Sequence, residues 1–359
     1  MPEDIRMETR LVKIGEAEGE ESTQAALCEA AEILKKGGLV AFPTETVYGL
    51  GANGLDEGAA KRIYAAKGRP SDNPLIAHIS CMEELQPLTA GISPVGRHLA
   101  EQFWPGPLTL VFLKSKRVPY GTTGGLETVA VRMPGREEAR RLIALAGVPV
   151  AAPSANLSGR PSPTTAQHVW QDMNGRIEMI LDGGPVGIGL ESTIVDVSGQ
   201  VPVLLRPGAV TLEMLREAVG DMEIDPAIQG IPGEDIRPKA PGMKYRHYAP
   251  RAEMILVKGD IAAVAETINR LAKEHERDGS KVGVICTEET KAQYIKGIVR
   301  SVGSRSKEET IAHNLFAVLR EFDDLEVDYI YAEEFSEKRL GYAIMNRLKK
   351  AAGYREIQA

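Results

Sequence analysis

The chain has 359 residues, 43% of them apolar and 26% charged, with a net charge of −7. That length exceeds one ordinary core, so two domains are expected, and the composition is that of a globular protein. The charge balance argues against a general nucleic-acid coat, the three scattered cysteines (Cys28, Cys81, Cys286) against a disulfide framework or zinc site, and the lack of any apolar run near ~20 residues against a membrane span.

The acidic start, Met1-Pro2-Glu3-Asp4, does not read as a signal peptide, and a cytoplasmic location is expected from the cysteine usage. Leu11 to Ile14 reads as a short strand, and Ala25 to Lys36 as a helix stopped by Gly37-Gly38. Leu39 to Phe42 is an apolar strand that Pro43 ends. Thr44, Glu45, Thr46 and Tyr48 follow, then Gly49, Gly51 and Gly54, which suit a turn or a close approach of backbone. Hydroxyls, a carboxylate and glycines just past a strand mark where ligands sit in α/β folds; a tight turn with ordinary caps is the alternative. Glu57 to Lys67 is a helix, Leu75 to Ile79 a strand, and the segment with Leu99, Phe103 and Trp104 a helix broken by Pro105-Gly106-Pro107. Strands are expected at 108–113, 129–132, 148–152, 177–181 and 193–197, with a helix at 137–146. This first domain is α/β, without a topology that the pattern fixes.

From Asp221 to Pro250 the pattern lapses into a proline-rich, stiff linker whose end, Arg237 to Arg251, carries five cations and no acid. Beyond it the alternation is regular. Strands at 254–257, 282–286, 298–302 and 327–332 alternate with helices at 261–273, 288–296, 308–322 and 341–352. Such alternation implies a smaller parallel sheet with covering helices. The domains are therefore 1–220, a linker or lid at 221–250, and 251–359. No Gly-x-Gly-x-x-Gly turn follows the first strand of the last domain, so a dinucleotide site is not expected there.

No Walker A, zincin, EF-hand or nucleophile-elbow pattern is present, and the six histidines show no metal-pair spacing, so no protein metal site is expected. Lys67-Gly68-Arg69 puts two cations on a turn, which suits a polyphosphate, or a helix end answering its own dipole. Ser154-Ala155-Asn156 follows a strand, as a ligand-binding loop or a plain Ser turn. Arg132 ends a buried strand and needs a carboxylate or phosphate partner; a structural ion pair serves equally. Glu191-Ser192-Thr193 leads into one strand, and Leu205-Arg206-Pro207-Gly208 ends another. Together these residues suit binding and charge neutralisation more than covalent catalysis.

The ordered set Phe42 to Leu50, Lys67-Gly68-Arg69-Pro70, Pro153-Ser154-Ala155-Asn156, Glu191-Ser192-Thr193 and Leu205-Arg206-Pro207-Gly208 resembles the threonylcarbamoyl-adenylate synthases, with Lys-x-Arg and Ser-x-Asn as the family's mark. Pro241 to Pro250 resembles the linker of the two-domain form, so the resemblance spans nearly the whole chain. It implies a YrdC-like α/β catalytic domain with a twisted mixed sheet and a Rossmann-like C-terminal domain. It also implies a nucleotidyltransferase: threonine, bicarbonate or CO2, and ATP give threonylcarbamoyl-AMP and pyrophosphate, with Mg2+ accompanying ATP. The product supplies threonylcarbamoyl for an adenosine of tRNAs that read codons beginning with A.

By the same resemblance Lys67 and Arg69 are catalytic. Thr46, His78, Arg132, Ala152 and Ser192 line the threonine and carbamate site. Arg69, Asn73, Thr128, Ser154, Asn156, Ser162 and Arg206 hold the nucleotide, with Tyr245 or Tyr248 reaching it from a linker that closes as a lid. A tRNA, or the complex that transfers the group to tRNA, is the implied downstream partner, and no membrane is. Two other classes stay open: an RNA-binding module, since YrdC-like domains resemble nucleic-acid binders, and a carbamoyl-transfer enzyme like the hydrogenase-maturation proteins. The net charge weighs against the first. The lack of zinc-finger cysteines and an acylphosphatase-like segment weighs against the second.

Overall fold

A computed structural model describes residues 7–228, 230, 238–241 and 247–359. Two compact units form. The first spans Met1–Ser158, Ser162–Gly187 and Glu191–Lys244; the second takes Gly159–Pro161, Ile188–Leu190 and Tyr245–Ala359.

The first unit runs β1 (Arg10–Lys13), α1 (Glu20–Lys35), β2 (Val40–Phe42), β3 (Gly49–Asn53), α2 (Glu57–Lys67), β4 (Ile76–His78), α3 (Pro94–Phe103), β5 (Leu108–Leu113), α4 (Tyr120–Thr123), β6 (Thr128–Arg132), α5 (Glu137–Ala146), β7 (Val150–Ala151), α6 (Ala166–Met173), β8 (Met179–Asp182), β9 (Thr193–Asp196), β10 (Val203–Arg206), α7 (Leu212–Val219) and β11 (Glu223–Ile224). All eleven strands join one mixed sheet in the order β1-β8-β2-β3-β7-β4-β6-β5-β9-β10-β11. Alternation along β2 sends Val40 and Phe42 to a layer with Leu27, Leu34, Leu142 and Ile143, and Leu39 and Ala41 to one with Leu50, Ile63 and Val169. The sheet therefore lies between helical layers here.

Of the two roles the glycines after Pro43 suit, close approach is the one seen, and the stretch is partly strand: Gly49–Asn53 pairs with both β2 and β7. A Cβ on Gly51 would lie 2.8 Å from Val150 Cγ1 and 2.9 Å from Phe42 Cε1, so glycine serves close packing there rather than a bend. Helices α6 and α7, eight residues each and not expected from the sequence, start at Thr165 and Thr211, whose hydroxyls accept from the N–H groups of His168 and Met214. The expected strand at 148–152 shortens to Val150–Ala151. The proline-rich stretch is not wholly irregular either, since β11 pairs with β10.

The second unit holds β12 (Glu253–Lys258), α8 (Ile261–Arg277), β13 (Val282–Cys286), β14 (Ile298–Ser301), α9 (Glu308–Asp324), β15 (Tyr329–Glu333), α10 (Leu340–Ala351) and β16 (Glu356–Gln358). Its five strands are all parallel, ordered β14-β13-β15-β12-β16. The helix expected at 288–296 is a single 3-10 turn, Lys291–Gln293. Side chains draw the backbone away from a helical ladder: Thr290 Oγ1 accepts from the N–H of Thr287, and Asn269 bonds both the N–H of Ile295 and the carbonyl of Gln293. No helix among the described residues is long and apolar enough to cross a membrane.

Candidate active site

Parallel strands β4 and β6 form the spine of the site. Their register pairs Ile76 with Ala130 and His78 with Arg132. Thr128 begins β6 and Arg132 ends it, so side chains at the two ends stand about 13 Å apart at ~3.3 Å per residue. Candidate residues gather at both ends of this pair.

Arg132 and His78 occupy the finishing end. Arg132 is 4% exposed, so its charge needs partners. Its Nε donates to the Gly106 carbonyl (3.2 Å), Nη1 to Thr46 Oγ1 (3.0 Å) and Nη2 to Glu45 Oε1 (2.6 Å). Thr44 Oγ1 lies 2.9 Å from Thr46 Oγ1 and donates to the Val47 carbonyl. The turn after β2 is thereby fastened to the arginine by hydroxyls and a carboxylate. Burial pushes the Glu45 carboxyl up, but the charge and hydrogen bond of Arg132 outweigh it and hold the group below its ordinary value. His78 is wholly enclosed; burial first and then the nearby Arg132 push its pKa down to about 3. With Nδ1 3.1 Å from the Ile76 carbonyl, Nδ1 carries the proton of a neutral ring, and Nε2 is left as an acceptor.

One strand farther, Leu108 of β5 pairs with Thr193 of β9, and Arg206 of β10 with Ile194. This register carries Ser192 and Arg206 to the same edge. Ser192 Oγ lies 2.8 Å from Thr109 Oγ1, while Arg206 Nε donates to the Ser192 carbonyl (3.0 Å) and Nη2 to its hydroxyl (3.2 Å). Ser162 donates to the buried Glu191. The next residue, Pro163, accepts from the N–H of Tyr48 (3.0 Å), which ties the Ser162 loop to the Thr44–Tyr48 turn.

Lys67, Arg69, Asn73, Ala152, Ser154 and Asn156 form a second cluster, tied to the Thr44–Tyr48 turn by the Gly49–Ser154 bridge and by the Ala155 N–H on the Tyr48 carbonyl. The Ala152 N–H donates to the Ile76 carbonyl, which brings the β7 loop beside the start of β4. Lys67 is not displayed on a free turn: its side chain is buried and donates to the carbonyls of Ser154 and Asn156. The lysine thus joins the Lys-x-Arg and Ser-x-Asn loops. Ser154 Oγ in turn donates to Asn156 Oδ1. Gly68 takes the left-handed conformation that ends α2, and Arg69 Nη2 reaches the carbonyls of Asn73 and Pro74 at 3.4 and 3.1 Å. Tyr64, pushed up to about 12 by burial, donates to the Asn73 carbonyl. Asn73 Oδ1 is buried without a hydrogen-bond partner among the described residues.

Between the two ends, Ile76 and Ala130 are covered by Ala227 and Ala240, and Arg206 Nη1 donates to the Pro241 carbonyl (3.2 Å). Described parts of the expected linker therefore lie on this face of the first unit. Tyr248, expected near the nucleotide, is buried in the second unit, stacked on Phe316 at 5.3 Å with Arg347 over its ring. Tyr245 lies outside the described residues. Sequence reasoning assigned no role to Glu45, Thr109 or Glu191. Glu45 was visible as a carboxylate among hydroxyls, but Thr109 sits within an apolar strand and gives no signal.

Residues 32–208 match the family model described as "Telomere recombination", and residues 210–353 match "Threonylcarbamoyl-AMP synthase, C-terminal domain". The chain is 53% identical over 329 residues to the threonylcarbamoyl-AMP synthase of Pyrococcus abyssi, covering 92% of this chain and 94% of that one. To the enzyme of that name in Bacillus subtilis it is 48% identical over 333 residues, with the same coverage. The fold matches a crystal structure of Pyrococcus abyssi Sua5 complexed with L-threonine, with a TM-score of 0.90, 50% identity, and coverage of 98% of this chain and 99% of that chain.

Proposed function

Because the chain belongs to the threonylcarbamoyl-AMP synthases, we infer that it joins L-threonine, bicarbonate or CO2, and ATP into threonylcarbamoyl-AMP, with release of pyrophosphate. The product serves the threonylcarbamoyl modification of tRNA. The observation that carries this reading is a pair of polar clusters held against one turn, Thr44–Tyr48. An Arg132–Glu45–Thr46 group beside neutral His78 suits an amino acid, and a Lys67–Arg69–Asn73–Ser154 group, tied to the same turn by the Gly49–Ser154 bridge and the Ala155 N–H on the Tyr48 carbonyl, suits a nucleotide.

We assign Thr46, His78, Arg132 and Ser192, with the Ala152 backbone, to threonine and its carbamate. Arg69, Asn73, Thr128, Ser154, Asn156, Ser162 and Arg206 are assigned to ATP. In the reaction the amine of threonine becomes a carbamate. A carbamate oxygen attacks the α-phosphorus, the bond from that phosphorus to the bridging oxygen breaks, and pyrophosphate leaves with the electron pair. Two anions meet in this step, so the cations of the site stabilise it by spreading charge. The attacking oxygen is already deprotonated, so no general base is required there. Arg69 faces the phosphates in this assignment. Lys67 holds the Ser154–Asn156 loop against them, which makes its role positional as much as electrostatic.

Mg2+ enters with ATP, as part of the nucleotide substrate. Among the described residues no group of three or more His, Cys, Asp or Glu could hold a metal ion of its own, and the triphosphate brings its own oxygen ligands. Carbamates decompose in water, so a cover over the site favours the reaction. Ala240 and Pro241, packed on the β4–β6 face and on Arg206, support a lid role for the linker. We further propose a cytoplasmic enzyme that hands its product to the tRNA-modifying machinery. Incubation with ATP, L-threonine and labelled bicarbonate tests the central reading: pyrophosphate and a labelled adenylate are expected, and neither forms if the reading is wrong.

A further inference from the structure

One oxygen of the Glu45 carboxylate lacks a partner among the described residues. Oε1 accepts from Arg132 Nη2 at 2.6 Å, but Oε2 is buried with no hydrogen-bond partner among the described residues. Arg132 holds the group ionised against its burial, helped by the backbone N–H groups of Gly135 and of Glu45 itself. A buried charged oxygen left unbonded is destabilising, and so each such atom calls for a reason. Ion pairing alone does not supply one, because Glu45 could neutralise Arg132 with both oxygens in its fork.

The surroundings indicate what is missing. The Arg132 hydrogen bonds to Gly106, Thr46 and Glu45 employ one N–H on each of its three nitrogens, and a guanidinium carries five. A donor fork with N–H groups to spare therefore sits directly beside an acceptor oxygen without a donor. Thr44 and Thr46 add hydroxyls, and His78 adds a neutral ring whose Nε2 can only accept. Adjacent cationic and anionic groups, each with capacity unspent, are the complement of a zwitterion.

We propose that Glu45 is a specificity-determining residue: its Oε2 receives the α-ammonium of the amino-acid substrate, and then the carbamate N–H that replaces it, while Arg132 takes the carboxylate. This rests on the assignment of the Arg132 cluster to threonine. It extends that assignment by giving the site a means to select α-amino acids over other hydroxy acids, and by placing the reacting nitrogen at a fixed oxygen.

Isothermal titration of the full-length protein with L-threonine and with (3R)-3-hydroxybutyrate, which is threonine without its amine, tests the proposal. The wild type should prefer threonine by at least about tenfold, the effect of one charge-assisted hydrogen bond. Glu45→Gln keeps an oxygen for Arg132 but presents an NH2 where Oε2 stood. It should lose threonine affinity at least about tenfold and leave 3-hydroxybutyrate within about twofold, so that the preference collapses. Glu45→Asp, which keeps the charge, should retain the preference at lower affinity for both ligands. A preference that survives in Glu45→Gln, or an equal loss for both ligands, would reduce Glu45 to a counter-ion of Arg132 and overturn the proposal. Failure of the wild type to bind threonine at all would instead remove the threonine assignment itself, and this proposal with it. Circular dichroism of each variant confirms that the protein under titration is folded.

Discussion

Single side chains in this site are used for two purposes at once. Lys67 and Arg69 stand two positions apart, yet only Arg69 is partly open to solvent, while Lys67 is buried on the carbonyls of Ser154 and Asn156. Arg69→Ala should therefore cut adenylate formation about 100-fold, as lost transition-state charge contacts do, with a smaller fall in melting temperature than Lys67→Ala because its carbonyl contacts are long and only half-buried. Lys67→Ala should lower both, because two carbonyls lose a charged donor, at a stability cost of about 1–3 kcal/mol. Pyrophosphate release and thermal melts on the same samples separate the two. His78 makes a pH prediction. Its folded pKa, about 3, lies below the ordinary value near 6.5, so the unfolded chain takes up a proton first. The stability that a neutral His78 contributes is complete above about pH 6.5 and is lost as the pH falls toward 3, with a slope approaching about 1.4 kcal/mol per unit. Urea unfolding at pH 7 and pH 5 should show a smaller pH-dependent loss for His78→Asn than for the wild type. Equal losses would mean that His78 is not the group taking up the proton.

Short elements here are positioned by neighbours far away in the chain. β9 and β10 approach so closely at Gly208 that a Cβ there would lie 2.5 Å from the Thr193 nitrogen and 2.7 Å from its hydroxyl. Thr193 also donates to the Val210 carbonyl, and Ser192 precedes it in the loop gripped by Arg206. Gly208→Ala should thus cost about 1–3 kcal/mol through overpacking and shift Ser192 with it. A lowered melting temperature together with a weaker apparent affinity for threonine is expected; a variant that melts and binds like the wild type would show the turn to be more yielding than its geometry. Most strands were readable from their apolar runs, because a short apolar run bounded by glycine or proline is too brief for a buried helix and fits a buried strand. The two-residue β11, the short β16 and the glycine-rich β3 were not, and β7 was expected to be longer than it is. Their pairing depends on a partner strand rather than on their own propensity.

For the molecule as a whole, the first unit continues well past the last strand-end cluster. Ala227 and Ala240 are buried against Ile76, Ala130, Ile194 and Leu205, and Pro241 accepts from Arg206. A chain ending at Gly220 should fold yet form adenylate at least tenfold more slowly, because it loses both the cover over the β4–β6 face and β11. Full activity in that truncated chain would leave the linker as a plain connector. The sequence by itself pointed to two domains, to the parallel alternation of the second, and to the strings Lys-x-Arg and Ser-x-Asn, because apolar periodicity and short strings of residue types are local properties that no folding is needed to express. Only the tertiary structure decided that the glycine stretch after Pro43 is a strand, that the Lys67 ammonium is buried, that 288–296 is not a helix, and that Glu45 keeps one oxygen unbonded beside Arg132. Each of these depends on a partner that lies far along the chain or on competition between side chain and backbone, and no spacing in the sequence records either.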